Sequence, residues 1–215
     1  MMPADTVPKV AGPWEILLFV PNLVGYVRIG VVIAALTAGT SHAELVVWLF
    51  IICFVLDFVD GLLARRLNQT SGFGALLDVL IDNSARGLMW CWGASSPLPC
   101  LMLQLEMLTL LCTHNVGGAA WKTDYFVEAP YWVKAVMRNG FKNPSGVFVV
   151  VGLMGCPLWL WATRWLPGTA YSSLLLGVPL IAARCVGAAL EGWIVVTYLA
   201  ALLNEDAKVR GKKDI

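Results

Sequence analysis

The chain has 215 residues, of which 59% are hydrophobic and only 13% are charged, and its mean hydropathy is +0.74. Soluble domains carry about 45–50% apolar and about 25% charged residues, so this composition excludes an ordinary soluble domain. The net charge of +1 carries little information, and no nucleic-acid partner is expected. The six cysteines have neither CxxC nor zinc-ligand spacing, which argues against a zinc site built from them.

Six apolar segments follow one another along the chain, and each has about the 17–25 residues needed to cross a ~30 Å hydrocarbon core, or somewhat more. Ahead of the first, residues Trp14 to Phe19 predict a short interfacial helix. We therefore expect an all-α integral membrane protein with six transmembrane helices. We expect one domain over residues 1–215, with flexible tails at 1–13 and 207–215. The segments cover residues 20–39, 43–68, 73–95, 98–118, 146–167 and 170–203.

The basic residues are divided unevenly between the two predicted membrane faces. Arg28, Arg86 and Arg184 lie within apolar segments, and the opposite side has only Arg164. Cytoplasmic loops carry an excess of Lys and Arg, so we expect both termini and the turn at residues 68–72 to face the cytosol. The basic residues on that side are Lys9, Arg65, Arg66, Lys122, Lys134, Arg138, Lys142, Lys208, Arg210, Lys212 and Lys213.

Four aspartates lie in the second and third apolar segments, within the stretch LDFVDGLLARRLNQTSGFGALLDVLIDN. An Asp at the centre of a membrane helix costs about 2.5–3.5 kcal/mol on insertion scales, and less near the interface. A single one is explained equally well by a polar contact between helices, whereas four at these spacings indicate a functional site. They are Asp57, Asp60, Asp78 and Asp82.

The helical spacing of the aspartates predicts that their carboxylates converge. At 100° per residue, Asp57 and Asp60 share one flank of their helix, and Asp78 and Asp82 are spaced i, i+4 on the next. The turn between the helices brings the two faces together near their cytosolic ends. Carboxylates at close quarters need a cation, and all-oxygen ligation selects Mg²⁺ or Mn²⁺ over Zn²⁺. Two such ions can share bridging carboxylates and polarise a phosphoryl oxygen.

Small residues lie on the same helix faces as the aspartates. At Gly61, Ala64 and Gly74 a missing side chain leaves room for a flat or bulky ligand to approach the backbone, although small residues also pack helices closely in lipid. Arg65 lies at the predicted cytosolic end, where it can pair with a phosphate oxygen. A soluble nucleotide group can reach this site from the cytosol, and a lipid can reach it sideways between helices.

The aspartates and small residues together form a pattern that resembles the full signature of the CDP-alcohol phosphatidyltransferase family. It has eight fixed positions over 26 residues. Two segments, LFVPNLVGYVRIG and LNQTSGFGALLD, are similar to the eukaryotic phosphatidylinositol synthase branch of that family, and the close similarity covers residues 16–83. The pattern reads Asp57-x2-Asp60-Gly61-x2-Ala64-Arg65-x8-Gly74-x3-Asp78-x3-Asp82.

The resemblance implies transfer of the phosphatidyl group of CDP-diacylglycerol to the hydroxyl of a polar alcohol, with release of CMP. It implies that all four aspartates hold the metal and that Asp82 is also the base that deprotonates the alcohol. It further implies a homodimer and an endoplasmic reticulum location. The positions that match the family's contacts to the donor lipid are Gly61, Ala64, Arg65, Ser71 and Gly74.

The acceptor alcohol is left open by the sequence. The leading interpretation is myo-inositol; glycerol 3-phosphate, serine or a lipid alcohol are alternatives, as is a catalytically silent lipid-binding protein. The segment LEMLTLLCTHNVGG departs from inositol-specific members at Glu106, Thr113 and Asn115. Arg86, four residues after Asp82, is expected to pair with it. The candidate acceptor-binding residues are Asn22, Arg28, His114 and Arg184.

Overall fold

The structure, a computed structural model, describes residues 12–93, 95–117 and 129–211, without the side chains of residues 114–117 and 211. In this part of the chain every regular element is a helix, as the composition predicts. Short 3-10 turns at Thr40–His42 and Ala170–Ser172 lie ahead of the third and the last helix. The helices are α1 (Pro13–Leu17), α2 (Val20–Ala38), α3 (Ala43–Arg66), α4 (Gly72–Gly93), α5 (Leu98–Gly117), α6 (Tyr131–Met137), α7 (Pro144–Trp165) and α8 (Leu174–Gly211).

The long helices α2, α3, α4, α5, α7 and α8 coincide with the six apolar segments. Within the described residues, four of them (α2, α3 with its preceding turn, α7 and α8) are long and apolar enough to cross a membrane. The other two are less apolar or shorter. α4 carries Asp78, Asp82 and Arg86, and the part of α5 whose side chains are described, Leu98–Thr113, is apolar but too short to count as a span. Six spans therefore remain a prediction.

The two ends of the described chain differ in how well they agree with the prediction from the sequence. A short helix is present at Pro13–Leu17, close to the predicted one, and its place at a membrane interface stays a prediction. At the other end α8 continues to Gly211. Residues 207–211 are therefore helical, where we expected part of a flexible tail. Ala, Lys and Arg in this stretch are strong helix formers, and no helix-breaking residue precedes Gly211.

Helix packing places α4 at the centre of the molecule. It contacts α2, α5 and α7, while α2 packs on α3 and α7 packs on α8. Phe50, Met89 and Trp161 belong to a buried core that joins α3, α4 and α7. A second core around Val133 and Leu190 joins α6 and α8. The first core holds α4 on one side and leaves Asp78 and Asp82 in contact with Arg28 of α2.

The turn between α3 and α4 is fixed by its own sequence. Asn68 has a φ of 52°, a left-handed conformation that Asn tolerates at a helix C-terminus. The N–H of Gln69 then donates to the carbonyl of Ala64 at 2.9 Å, which closes the end of α3. At the start of α4, the Oγ of Ser71 accepts a hydrogen bond from the N–H of Gly74 at 3.0 Å. The two aspartate-bearing helices are thus joined by a defined tight turn.

Candidate functional site

One buried arginine contacts all four aspartates. The side chain of Arg28, on α2, is fully buried. Its Nη1 lies 3.1 Å from Asp57 Oδ1, 2.9 Å from Asp60 Oδ2 and 2.7 Å from Asp78 Oδ1. Its Nη2 donates to Asp82 Oδ1. The structure therefore brings together the four carboxylates from α3 and α4, as their spacing predicts.

The four carboxylates differ in exposure, which shows where the cluster opens. The side chain of Asp60 is 9% exposed and that of Asp82 is 17% exposed. Asp57 is 29% exposed, and Asp78 is the most accessible at 43%. A ligand would therefore approach on the side of Asp78.

Three of the aspartates are close enough to share one metal ion. One carboxylate oxygen each from Asp57, Asp60 and Asp78 lie within 4.8 Å of one another. Asp82 is outside this group, and it shares Arg28 with the other three aspartates as an ion-pair partner. Because Arg28 offsets only one of four negative charges, the cluster keeps an excess of negative charge. An all-oxygen, anionic donor set of this kind fits a hard divalent cation.

A cavity of about 450 Å³ adjoins the aspartate cluster, and we call it the α3–α4 cavity. Asp60 and Asp78 belong to both the cluster and the cavity wall. All five residues predicted to contact the donor lipid line it, namely Gly61, Ala64, Arg65, Ser71 and Gly74. The rest of its wall is formed by Pro21, Asn22, Gly25, Gln69, Thr70, Gly72, Ala75 and Leu77.

The start of α2 closes one side of the α3–α4 cavity. Asn22 Nδ2 donates to the carbonyl of Ile16 at 2.5 Å, and Gln69 Oε1 accepts from the N–H of Val20 at 2.9 Å. Asn22 Oδ1 comes so near Gly74 that a Cβ built there would lie 2.8 Å from it. Asn22, predicted as an acceptor-binding residue, thus lines the same cavity as the donor-binding candidates.

The other predicted acceptor residues occupy different places. Arg28 lies inside the aspartate cluster. Arg184, on α8, pairs with Glu191 at 2.9 Å and with Glu106 at 3.3 Å, and it does not line the α3–α4 cavity. The side chains of His114 and Asn115 lie outside the described part of the chain. Among the three whose side chains the structure describes, Asn22, Arg28 and Arg184, it therefore shows no shared pocket.

Two features of the site were not expected from the sequence. Gln69 and Thr70 line the α3–α4 cavity. Their position in the turn between two aspartate-bearing helices could have indicated this from the sequence. Glu106 forms an ion pair with Arg86 at 2.8 Å. The predicted pairing of Arg86 with Asp82 is confirmed, at 3.3 Å.

Comparison with known protein families identifies one match. A family model described as CDP-alcohol phosphatidyltransferase matches residues 18–178, which is well over half of the chain. The match includes the eight positions of the aspartate pattern, both helices that carry it and the α3–α4 cavity. No solved structure matches the chain significantly.

Several curated proteins are similar to part of the chain, and those named here are each called a CDP-diacylglycerol–inositol 3-phosphatidyltransferase. The one from Saccharomyces cerevisiae is 31% identical over 114 residues, 53% of this chain and 52% of that protein. The one from Drosophila melanogaster is 40% identical over 133 residues, 57% and 59% respectively. An Arabidopsis thaliana protein is 42% identical over 68 residues, 32% and 30%. The chain thus spans about half the length of the yeast and fly relatives.

Proposed function

The chain belongs to the CDP-alcohol phosphatidyltransferase family, and we propose that it transfers the phosphatidyl group of CDP-diacylglycerol to a hydroxyl of myo-inositol, giving phosphatidylinositol and CMP. One observation carries the proposal: the carboxylate cluster and the α3–α4 cavity share Asp60 and Asp78. The names of the yeast, fly and plant relatives support inositol as the acceptor, ahead of glycerol 3-phosphate, serine or a lipid alcohol.

We propose Mg²⁺ or Mn²⁺ as the cofactor. Asp57, Asp60 and Asp78 would hold it, with Asp82 as a further ligand from the neighbouring turn of α4. A divalent ion bound there stabilises the charge that develops on phosphoryl oxygens during transfer. The carboxylates would hold the ion beside the cavity that Asp60 and Asp78 line.

The α3–α4 cavity would hold the cytidine diphosphate part of the donor. Its volume of about 450 Å³ lies within the usual range of ligand pockets, ~300–1,000 Å³. Ser71 directly precedes α4 and Gly74 lies in its first turn, where the helix dipole favours a phosphate. Arg65 adds a cation that can pair with a phosphate oxygen. The diacylglycerol chains would remain in the membrane beside the helices.

Asp82 would act as the base. The acceptor oxygen attacks the β-phosphorus of CDP-diacylglycerol, and its proton passes to a carboxylate oxygen of Asp82. The bond between that phosphorus and the bridging oxygen breaks, and CMP leaves with the bond's electron pair. A carboxylate offers about four lone-pair positions, so the hydrogen bonds from Arg28 and Arg86 leave room to accept this proton.

We propose that the protein is an integral membrane protein of the endoplasmic reticulum and forms a homodimer. Six helices would cross the bilayer, α1 would lie at its surface, and both termini and the active site would face the cytosol. Four apolar helices and the excess of basic residues on one side support this arrangement. An N-terminal tag should be accessible to antibody in cells whose plasma membrane alone is permeabilised.

An acceptor panel tests the proposed reaction. Purified protein in detergent should convert CDP-diacylglycerol and myo-inositol to phosphatidylinositol only when Mg²⁺ or Mn²⁺ is present, as read by mass spectrometry of the lipids. Glycerol 3-phosphate, serine and a lipid alcohol are offered in parallel. If another alcohol is incorporated in place of inositol, the acceptor is wrong. If no alcohol is incorporated while the metal and donor bind, the protein is a silent member of its family.

A methyl group at Gly74 should weaken donor binding. The added Cβ of Gly74→Ala would meet Asn22 Oδ1 at 2.8 Å, and Asn22 is held in place by its bond to Ile16. The clash displaces Asn22 or narrows the α3–α4 cavity, so we expect the KM for CDP-diacylglycerol to rise about tenfold, which corresponds to about 1.4 kcal/mol of binding free energy. The matched control is Gly30→Ala, since a Cβ at Gly30 meets nothing within 4 Å. Equal KM values for the two variants would contradict the assignment of this cavity to the donor.

A further inference from the structure

A second cluster of charged side chains lies behind the aspartates, between α4, α5 and α8. Its four members are each at most 9% exposed. Arg86 Nε donates to Glu106 Oε2 at 2.8 Å. Arg184 donates to Glu106 Oε1 at 3.3 Å and to Glu191 Oε2 at 2.9 Å. Two arginines balance two glutamates, so this network of Arg86, Glu106, Arg184 and Glu191, which we call the rear network, is neutral.

Glu106 is the centre of the rear network. Its Oε1 accepts from Trp90 Nε1 at 2.9 Å as well as from Arg184, while its Oε2 accepts from Arg86. Glu106 therefore connects α5 to both α4 and α8. Glu191 contacts Arg184 alone among the network's arginines and lies at the far end from the aspartates.

Arg86 connects the rear network to the proposed base. Its Nη1 lies 3.3 Å from Asp82 Oδ2 and its Nη2 donates to Asn83 Oδ1 at 2.8 Å. Because a guanidinium is rigid and planar, the two shorter bonds, to Glu106 and Asn83, fix the direction of the third. Arg28 donates to the other oxygen of Asp82. Both oxygens of the Asp82 carboxylate are thus held by arginines, one of them oriented by Glu106.

A buried ion network can also be simply structural, and such networks are weak contributors to stability compared with apolar packing. In that case replacing either glutamate would have a similar effect on kcat, since both are buried and both pair with Arg184. The two glutamates differ in their other contacts, because Glu106 also pairs with Arg86 and accepts a hydrogen bond from Trp90.

We propose that Glu106 is a positioning residue that fixes Arg86 and, through it, orients the Asp82 carboxylate to receive the proton of the acceptor alcohol. This inference rests on the proposed function, because the orientation matters only if Asp82 acts as a base. It assigns to α5 an influence on the chemistry although α5 contributes none of the aspartates.

The test compares Glu106→Gln with Glu191→Gln. Each variant removes one negative charge from a glutamate that pairs with Arg184. We expect Glu106→Gln to lower kcat, counted per bound Mn²⁺, by about 10–100-fold, as for other residues that orient a reacting group. The kcat of Glu191→Gln should stay within about threefold of the wild-type kcat. The KM for CDP-diacylglycerol should change in neither variant, and electron paramagnetic resonance counts the Mn²⁺ bound by each protein.

A double-mutant cycle with Arg86→Lys separates positioning from general electrostatics. Lys keeps the charge but cannot bridge Glu106 and Asp82 as the guanidinium does, so its kcat loss should match that of Glu106→Gln, and the double variant should lose little more. Additive losses, or equal losses for the two glutamate variants, would overturn the inference. If Glu106→Gln does not fold, a near wild-type kcat for Arg86→Lys would likewise overturn the inference. A wild-type protein that transfers no alcohol overturns the proposed function, and this inference with it.

Discussion

Replacing Asp82 by asparagine is expected to reduce the rate of alcohol transfer by about 10²–10⁴-fold, the typical contribution of a general base. Asparagine is similar in size, so the space filled by the side chain is preserved, but its single amide oxygen can accept from only one of Arg28 and Arg86, which donate to different oxygens of Asp82. It cannot take the proton of the acceptor hydroxyl. The measurement is the initial rate of labelled inositol incorporation into lipid by purified protein, with CDP-diacylglycerol and Mn²⁺ at saturation.

The matched control for this variant is Asp206→Asn, an aspartate on the exposed end of α8, which should keep wild-type activity. Metal binding distinguishes Asp82 from the three aspartates of the close group. Because Asp57, Asp60 and Asp78 form the close carboxylate group without Asp82, Asp78→Asn should weaken Mn²⁺ binding more than Asp82→Asn does. If Asp82→Asn retained more than about a tenth of the activity, the base would have to be sought elsewhere.

The long helices and the convergence of the aspartates could be predicted because both depend on local regularities. Apolar runs of sufficient length indicate helices in lipid. The i, i+4 spacing of Asp78 and Asp82 requires them to share a face, and a turn of a few residues leaves α3 and α4 only one way to meet. The residues predicted to bind the donor lie in the same hairpin and line the α3–α4 cavity, so the pattern also indicated that they lie together.

The pairing of Arg86 with Asp82 could be predicted because it is local, whereas the contacts between buried arginines and distant helices could not. Arg28 is 32 residues from Asp60 and 54 from Asp82 along the chain. Arg184 and Glu106 are 78 residues apart. An arginine within an apolar segment implies a partner, but which partner depends on the packing of α2 against α4 and of α5 against α8. For this reason the sequence indicated that Arg28 and Arg184 have polar partners, but it did not indicate which carboxylates these partners are.

Replacing Arg28 by methionine should make the stability of the protein depend on a divalent metal. Arg28 is the one cation in contact with all four aspartates among the described residues. Removing one partner of a buried ion pair typically costs about 3–5 kcal/mol, because the remaining charge is left without compensation. We therefore expect a clear fall in the unfolding temperature of Arg28→Met in the presence of EDTA, measured by thermal denaturation in detergent.

Mn²⁺ should restore much of this loss, because an ion that binds only the folded state stabilises it by about 2.7 kcal/mol at a hundred times its Kd. The variant removes the competing guanidinium from the carboxylates, so its gain from Mn²⁺ should exceed that of the wild type. Arg66→Met, at the exposed end of α3, is the control for loss of an arginine and should respond to Mn²⁺ as the wild type does. If Arg28→Met and wild type gained equally from Mn²⁺, the ion and Arg28 would not share the same carboxylates, and the metal site would have to lie away from Asp57, Asp60 and Asp78.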